Sequence, residues 1–247
     1  MTILSLIIIF SLLGSIGAVS GAALLLIFPE KVRKTLVPVL ISYATGTLLG
    51  AAFLGMIPHA IEHTQASSIL TTILIGIVLF FLLEKLVIWR HCHNGECEIH
   101  GVAGPLILFG DAFHNFVDGI VITAAFLINI PLGLATALAV IVHEVPQEIG
   151  DFAILLDSGY SKQKAFLYNL LSSLTTLLGA IISFFFLKAS KTAVPYILAI
   201  SAASFIYIAM ADLIPALHQK ISIKDSIRQF TLFLAGIGTI LFFRLNH

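Results

Sequence analysis

Eight runs of mostly apolar residues occupy nearly the whole chain, at approximately 3–28, 36–58, 69–89, 102–128, 131–156, 164–187, 194–217 and 227–245. A bilayer core of about 30 Å is crossed by about 20 helical residues, and the runs have that length. Backbone N–H and C=O groups in hydrocarbon must pair within the protein, so only helices or a closed barrel can span it. Leu, Ile, Phe, Ala and Gly mixed with Ser and Thr, without strand-like alternation, select helices packed on one another. The composition agrees, with 59% hydrophobic and 11% charged residues and a mean hydropathy of +1.07. The expected fold class is all-α: a polytopic membrane helix bundle of eight transmembrane spans, one transmembrane domain over residues 1–247, embedded in the lipid bilayer. A loop at 90–101 joins the third and fourth spans, and no loop exceeds about a dozen residues. That leaves no soluble domain and argues against nucleic-acid binding.

Charge sets the expected orientation. Lys31, Arg33, Lys34, Lys85, Arg90, Lys162, Lys164, Lys220, Lys224 and Arg228 fall on one side of the membrane, and only Lys188, Lys191 and Arg244 on the other. The positive-inside rule then places both termini outside the cytoplasm, in a multi-pass protein of the plasma (inner) membrane. The first span reads as retained. No basic residue precedes it, it is too long for a signal-peptide core, and the basic cluster follows it. A faint inverted repeat surrounds the fourth/fifth-span pair. The second span ends Met56-Ile57-Pro58-His59 and the seventh Leu213-Ile214-Pro215-Ala216, each followed closely by His, and the two run in opposite directions.

Against this apolar background, five carboxylates stand inside the fourth and fifth spans, with no Lys or Arg between Arg90 and Lys162 to neutralise them. A charge at bilayer depth costs at least about 2.5–3.5 kcal/mol, so such residues serve a pathway or a bound partner. On a helix, residues three and four apart share a face. Asp111, His114, Asn115 and Asp118 form one polar stripe, and His143, Glu144, Gln147, Glu148 and Asp151 form a second. Only Asn129, Ile130 and Pro131 join the two spans, so the stripes face each other as antiparallel neighbours. His114 and Gln147 lie roughly 15 Å deep at about 1.5 Å per residue, near the bilayer centre. Imidazole, carboxylate and amide together make a mixed nitrogen/oxygen site for a divalent metal ion such as zinc, iron, manganese or cadmium. No thiolate lies at depth, which disfavours copper(I) or a closed structural zinc site.

Other polar residues read less specifically. Asp111 and Asp151, one to two turns nearer the cytoplasm, are an exit path or else cap and pair with neighbouring Ser and Thr. His59, Glu62 and His63 at the outer end of the second span gather ions or are simply a solvated helix end. Pro146 frees the Val142 carbonyl, either as an ion ligand or as an ordinary kink. Gly119 and Gly150 allow close helix approach. His91, Cys92, His93, Cys97 and His100 crowd one loop with two Glu, a set able to chelate zinc, or a plain polar turn.

The pairing of His114-Asn115-x-x-Asp118-Gly119 with His143-Glu144-x-Pro146-x-Glu148-x-Gly150-Asp151 resembles the ZIP family of divalent-metal transporters, over nearly the whole chain. The nearest branch has His-Glu-x-Pro-His-Glu-x-Gly-Asp in its fifth span. The resemblance implies uptake of zinc into the cytoplasm by alternating access, a binuclear mid-membrane site and a homodimer. Carried over by position, one metal uses His114, Asp118, His143 and residue 147. The second uses Asn115, Glu144 and Glu148 with a polar residue of the sixth span, from among Asn169, Ser172 and Ser173. This chain departs from that branch at Gln147, where His is common, and Gly55 stands where the family often carries His. An amide oxygen is a weaker and harder ligand than imidazole, which opens a broader iron, manganese and cadmium range. The rival from another class is an intramembrane metallohydrolase, since His143-Glu144 begins a His-Glu-x-x-His pattern. The second His is missing and Pro146 interrupts the motif, so an enzyme is not expected.

Overall fold

The computed structural model describes residues 2–62, 64–89, 103–218 and 222–245. Among them there is no strand, and eight helices are long and apolar enough to cross a membrane. They are α1 (Ile3–Ile27), α2 (Glu30–Glu62), α3 (Ala66–Trp89), α4 (Ala103–Ile128), α5 (Ile130–Asp157), α6 (Lys162–Ala189), α7 (Val194–Leu217) and α8 (Ile223–Leu245). The largest departure from the expected bounds is α2, which starts before its apolar run. Its first turn is charged and exposed, and Lys34 pairs with Glu30 at 2.5 Å across one helical turn.

The helices are not equivalent. In α4, α5 and α7, 56% of the most apolar window is buried within the chain, against 17% in α3 and 11% in α8. The centre of the bundle is therefore the polar pair α4/α5 backed by α7, while α3 and α8 form its rim. Asn129 alone separates α4 from α5, and its side chain caps α5 by accepting the Leu132 N–H at 2.8 Å. One connecting residue leaves the two helices no choice but to run antiparallel side by side.

Small residues bring backbones together at two crossings. A Cβ on Gly119 would lie 1.9 Å from the Thr176 carbonyl oxygen, and one on Gly179 would lie 2.1 Å from that of Phe116. These reciprocal contacts lock α4 to α6. Gly46 and Gly236 do the same for α2 and α8, where added Cβ atoms would meet the Phe233 and Tyr43 carbonyl oxygens at 2.1 and 2.4 Å. Lipid offers helices no hydrophobic drive to associate, so such close packing carries much of the cohesion. Gly150, in contrast, has open space beside it, and the close approach expected there is not made within the chain.

Besides a π-helical segment at Leu13–Gly17 of α1, which has no proline beside it, two helices widen at matching places. In α2, residues Ala51–Met56 form a π-helical segment, and the Ile57 N–H reaches back five residues to the Ala52 carbonyl. In α7, Ala209–Leu213 do likewise, with the Ile214 N–H bonded to the Ala209 carbonyl. Each segment runs directly into Ile-Pro. Proline has no N–H for the carbonyl one turn back and its ring crowds that carbonyl, so a wider turn there relieves the clash.

Candidate metal centre

The two polar stripes meet where α4 and α5 face each other. His114 Nε2 lies 3.2 Å from His143 Nε2 and 3.4 Å from Glu144 Oε1. His143 Nε2 lies 3.4 Å from Asp118 Oδ2 and 3.5 Å from Glu144 Oε1, and His114 Nε2 is 3.8 Å from Asp118 Oδ2. One ligand atom from each of these four residues falls within 4.8 Å of the others. His143 Nδ1 faces the Ala139 carbonyl at 3.0 Å. A carbonyl only accepts, so Nδ1 carries the proton and the neutral ring presents its Nε2 lone pair to the cluster. That is the usual way a ligating imidazole is oriented.

A second group adjoins the first. Ligand oxygens of Asp111, Glu144 and Glu148 also lie within 4.8 Å of one another, so Glu144 belongs to both groups. Asp118, His143, Glu144 and Glu148 are fully buried, Asp111 and Asp151 nearly so, and His114 is the partly exposed member of the site. Both carboxylate oxygens of Asp118, Glu144 and Glu148, and Oδ2 of Asp111 and of Asp151, have no hydrogen-bond partner among the described residues. Burying that much unpaired carboxylate is costly unless a cation compensates it. Imidazole nitrogen with carboxylate oxygen is the donor chemistry of a divalent transition metal.

Asn115 is buried, donates to Asp111 Oδ1 at 2.8 Å and accepts from the Thr176 hydroxyl at 2.9 Å. The Gln147 amide reaches Asp111 Oδ1 at 3.4 Å. Asp111 sits with Glu144 and Glu148 rather than apart from them, and Asp151 adjoins Asp111. His59 is remote from the centre. Its Nδ1 donates to the Gly55 carbonyl at 2.9 Å and Asn129 Nδ2 donates to its Nε2 at 3.3 Å, beside a cavity of about 340 Å³ that Arg244 also lines. His63, His91, Cys92, His93, Cys97 and His100 lie outside the described residues. Sequence reasoning overlooked Thr176, whose signal was a Thr pair continuing the Asn169, Ser172 and Ser173 face of the sixth span. It also overlooked a contact between α3 and α7, where the Tyr207 hydroxyl donates to Glu84. Single polar residues in separate apolar runs give no spacing to read.

Fold and site thus define a class: a polytopic helical membrane protein with a buried histidine–carboxylate centre shared by two neighbouring spans. Residues 89–244 match the family described as ZIP zinc transporter. The zinc transporter ZIP13 of Pongo abelii is 31% identical over 96% of this chain and 78% of its own length. The zinc transporter zipt-7.2 of Caenorhabditis elegans is 32% identical over 82% of this chain, which spans only 57% of that relative. The zinc transporter foi of Drosophila melanogaster is 40% identical over 57% of the chain and 20% of its own length. The chain belongs to the ZIP zinc transporter family, a family of transporters rather than enzymes.

Proposed function

We propose that this chain carries divalent metal ions, zinc foremost, across the membrane into the cytoplasm, binding them at the α4/α5 centre and exposing them to each side in turn. The observation that carries the reading is the convergence of ligand atoms of His114, Asp118, His143 and Glu144 within 4.8 Å of one another at mid-helix, in a stretch with no Lys or Arg. The named zinc transporters to which the chain is similar support zinc as the substrate. Transport needs a site that releases its ion, and a nitrogen/oxygen set without thiolate suits exchange. The basic residues gathered on the loops after α1, α3, α5 and α7 support termini outside the cytoplasm. A homodimer on family resemblance, and a regulatory role for the loop at 90–101 from its His and Cys content, complete the reading.

A broader iron, manganese and cadmium range is favoured by Gln147, which replaces a soft nitrogen donor with an amide. Side-by-side uptake of radiolabelled zinc, iron, manganese and cadmium by cells producing the chain tests both substrate readings. His114→Ala, Asp118→Ala and His143→Ala should each bring zinc uptake to background at near-normal membrane abundance. Near wild-type uptake in any two of them would remove this centre from the transport path.

A further inference from the structure

We propose that His59 is a clasp and not an ion ligand: it ties the outer end of α2 to the joint between α4 and α5, and so holds the outer approach to the metal centre closed. The part this plays in uptake rests on the reading that the α4/α5 centre carries the transported ion. The clasp itself does not.

A series of hydrogen bonds fixes the imidazole. The Leu132 N–H can only donate, so the Asn129 atom that it meets at 2.8 Å is the amide oxygen. The Asn129 nitrogen is then the atom 3.3 Å from His59 Nε2, and an amide nitrogen donates. His59 Nδ1 faces the Gly55 carbonyl at 2.9 Å, so the ring proton sits on Nδ1 and the Nε2 lone pair takes the Asn129 N–H. Both ring nitrogens are engaged, one within α2 and one across to the joint. The ring has no lone pair left to offer a cation while this arrangement lasts.

The surroundings fit a closure better than a port. A Cβ on Gly55 would lie 2.7 Å from Leu132 Cδ1, so the buried Leu132 side chain of α5 is seated against bare backbone of α2. The cavity beside the clasp reaches no deeper along α5 than Ala135. His143 lies two turns further on, about 12 Å at 1.5 Å per residue, and is fully buried. Arg244 of α8 lines the same cavity, and its permanent positive charge repels a divalent cation from His59. Clasp and leucine together therefore bridge the seam between α2 and α5 that must part for an ion to come in from outside.

The test uses the full-length protein with Cys92→Ser and Cys97→Ser, and with Ala135→Cys added at the cavity floor. In lipid nanodiscs, the rate at which a small water-soluble thiol reagent labels the added thiol reports opening of the seam. His59→Ala removes the clasp. Asn129→Ser keeps a hydroxyl oxygen to cap the Leu132 N–H but is too short to reach His59. His59→Gln keeps an oxygen to accept the Asn129 N–H. One hydrogen bond shifts a closed–open balance about fivefold. Labelling should therefore be about fivefold faster in His59→Ala and Asn129→Ser, and unchanged in His59→Gln. In cells, the half-saturation for zinc uptake should fall by up to the same factor in the first two, because a larger share of the protein is open to outside zinc. It should not move in His59→Gln. An ion-gathering histidine predicts the opposite: half-saturation raised in both His59 variants and unaltered in Asn129→Ser. That pattern, or equal labelling in all four proteins, would overturn the proposal. Faster labelling of the two unclasped variants, with no zinc uptake even by the parent, would leave the clasp standing and refute the transport reading.

Discussion

Glu144 is common to both clusters of candidate ligand atoms: one of its oxygens lies within 3.5 Å of each imidazole Nε2, and the side chain also adjoins Asp111 and Glu148. Glu144→Ala should therefore abolish zinc uptake and reduce bound metal further than Asp118→Ala, which strips a ligand from the histidine group alone. Equilibrium binding by elemental analysis of the two purified variants checks the order. How far this centre was legible varies by residue. His114, Asp118, His143 and Glu144 were visible because helical spacing puts each pair on a common face, and a three-residue joint dictates that the faces oppose. The orientation of Asn115 was not, because the group that turns its amide toward Asp111 is Thr176, 61 residues further on in another helix. Spacing along one helix predicts which side chains share a face, but not which of them a third helix has already engaged.

At the level of the helix, the α4/α6 crossing and the π segments carry distinct consequences. Gly119→Ala places a methyl group 1.9 Å from the Thr176 carbonyl oxygen and 2.6 Å from the Ala180 nitrogen, both backbone atoms that cannot turn aside. The helices must part, at a cost of about 1–3 kcal/mol, and Gly119→Val should cost more. Thermal unfolding in detergent should order the three proteins glycine, alanine, valine. Gly150→Ala meets open space and should leave the midpoint unchanged. Pro58→Ala restores an N–H and removes the ring's clash, allowing residues 51–56 to rewind as α-helix. Restored bonds contribute about 1 kcal/mol each, so amide exchange across that segment should slow. Unchanged exchange would show that packing, and not Pro58, sets the wide turn. The paired Ile-Pro ends were visible in the sequence, but the widening before them was not. Hydropathy records where a helix crosses the bilayer and is blind to how tightly it winds.

For the molecule as a whole, the number and order of the spans followed from hydropathy because the bilayer fixes the length of each. Which spans form the rim did not, since α8 and α4 are similarly apolar by length and composition. Orientation is open to a direct measurement. The chain has two cysteines, Cys92 and Cys97, both in the loop after α3. A membrane-impermeant thiol reagent applied to intact cells should leave them unlabelled until the membrane is permeabilised, and labelling of intact cells would invert the proposed topology. The joint at Asn129 has a mechanical meaning. A single residue joins α4 to α5, and close backbone contact couples α4 to α6. In the proposed transport cycle the histidines and carboxylates of α4 and α5 accordingly move together. On the transport reading proposed above, access to the centre then changes at its walls while the spacing of its side chains is kept, so that the door moves and the room does not.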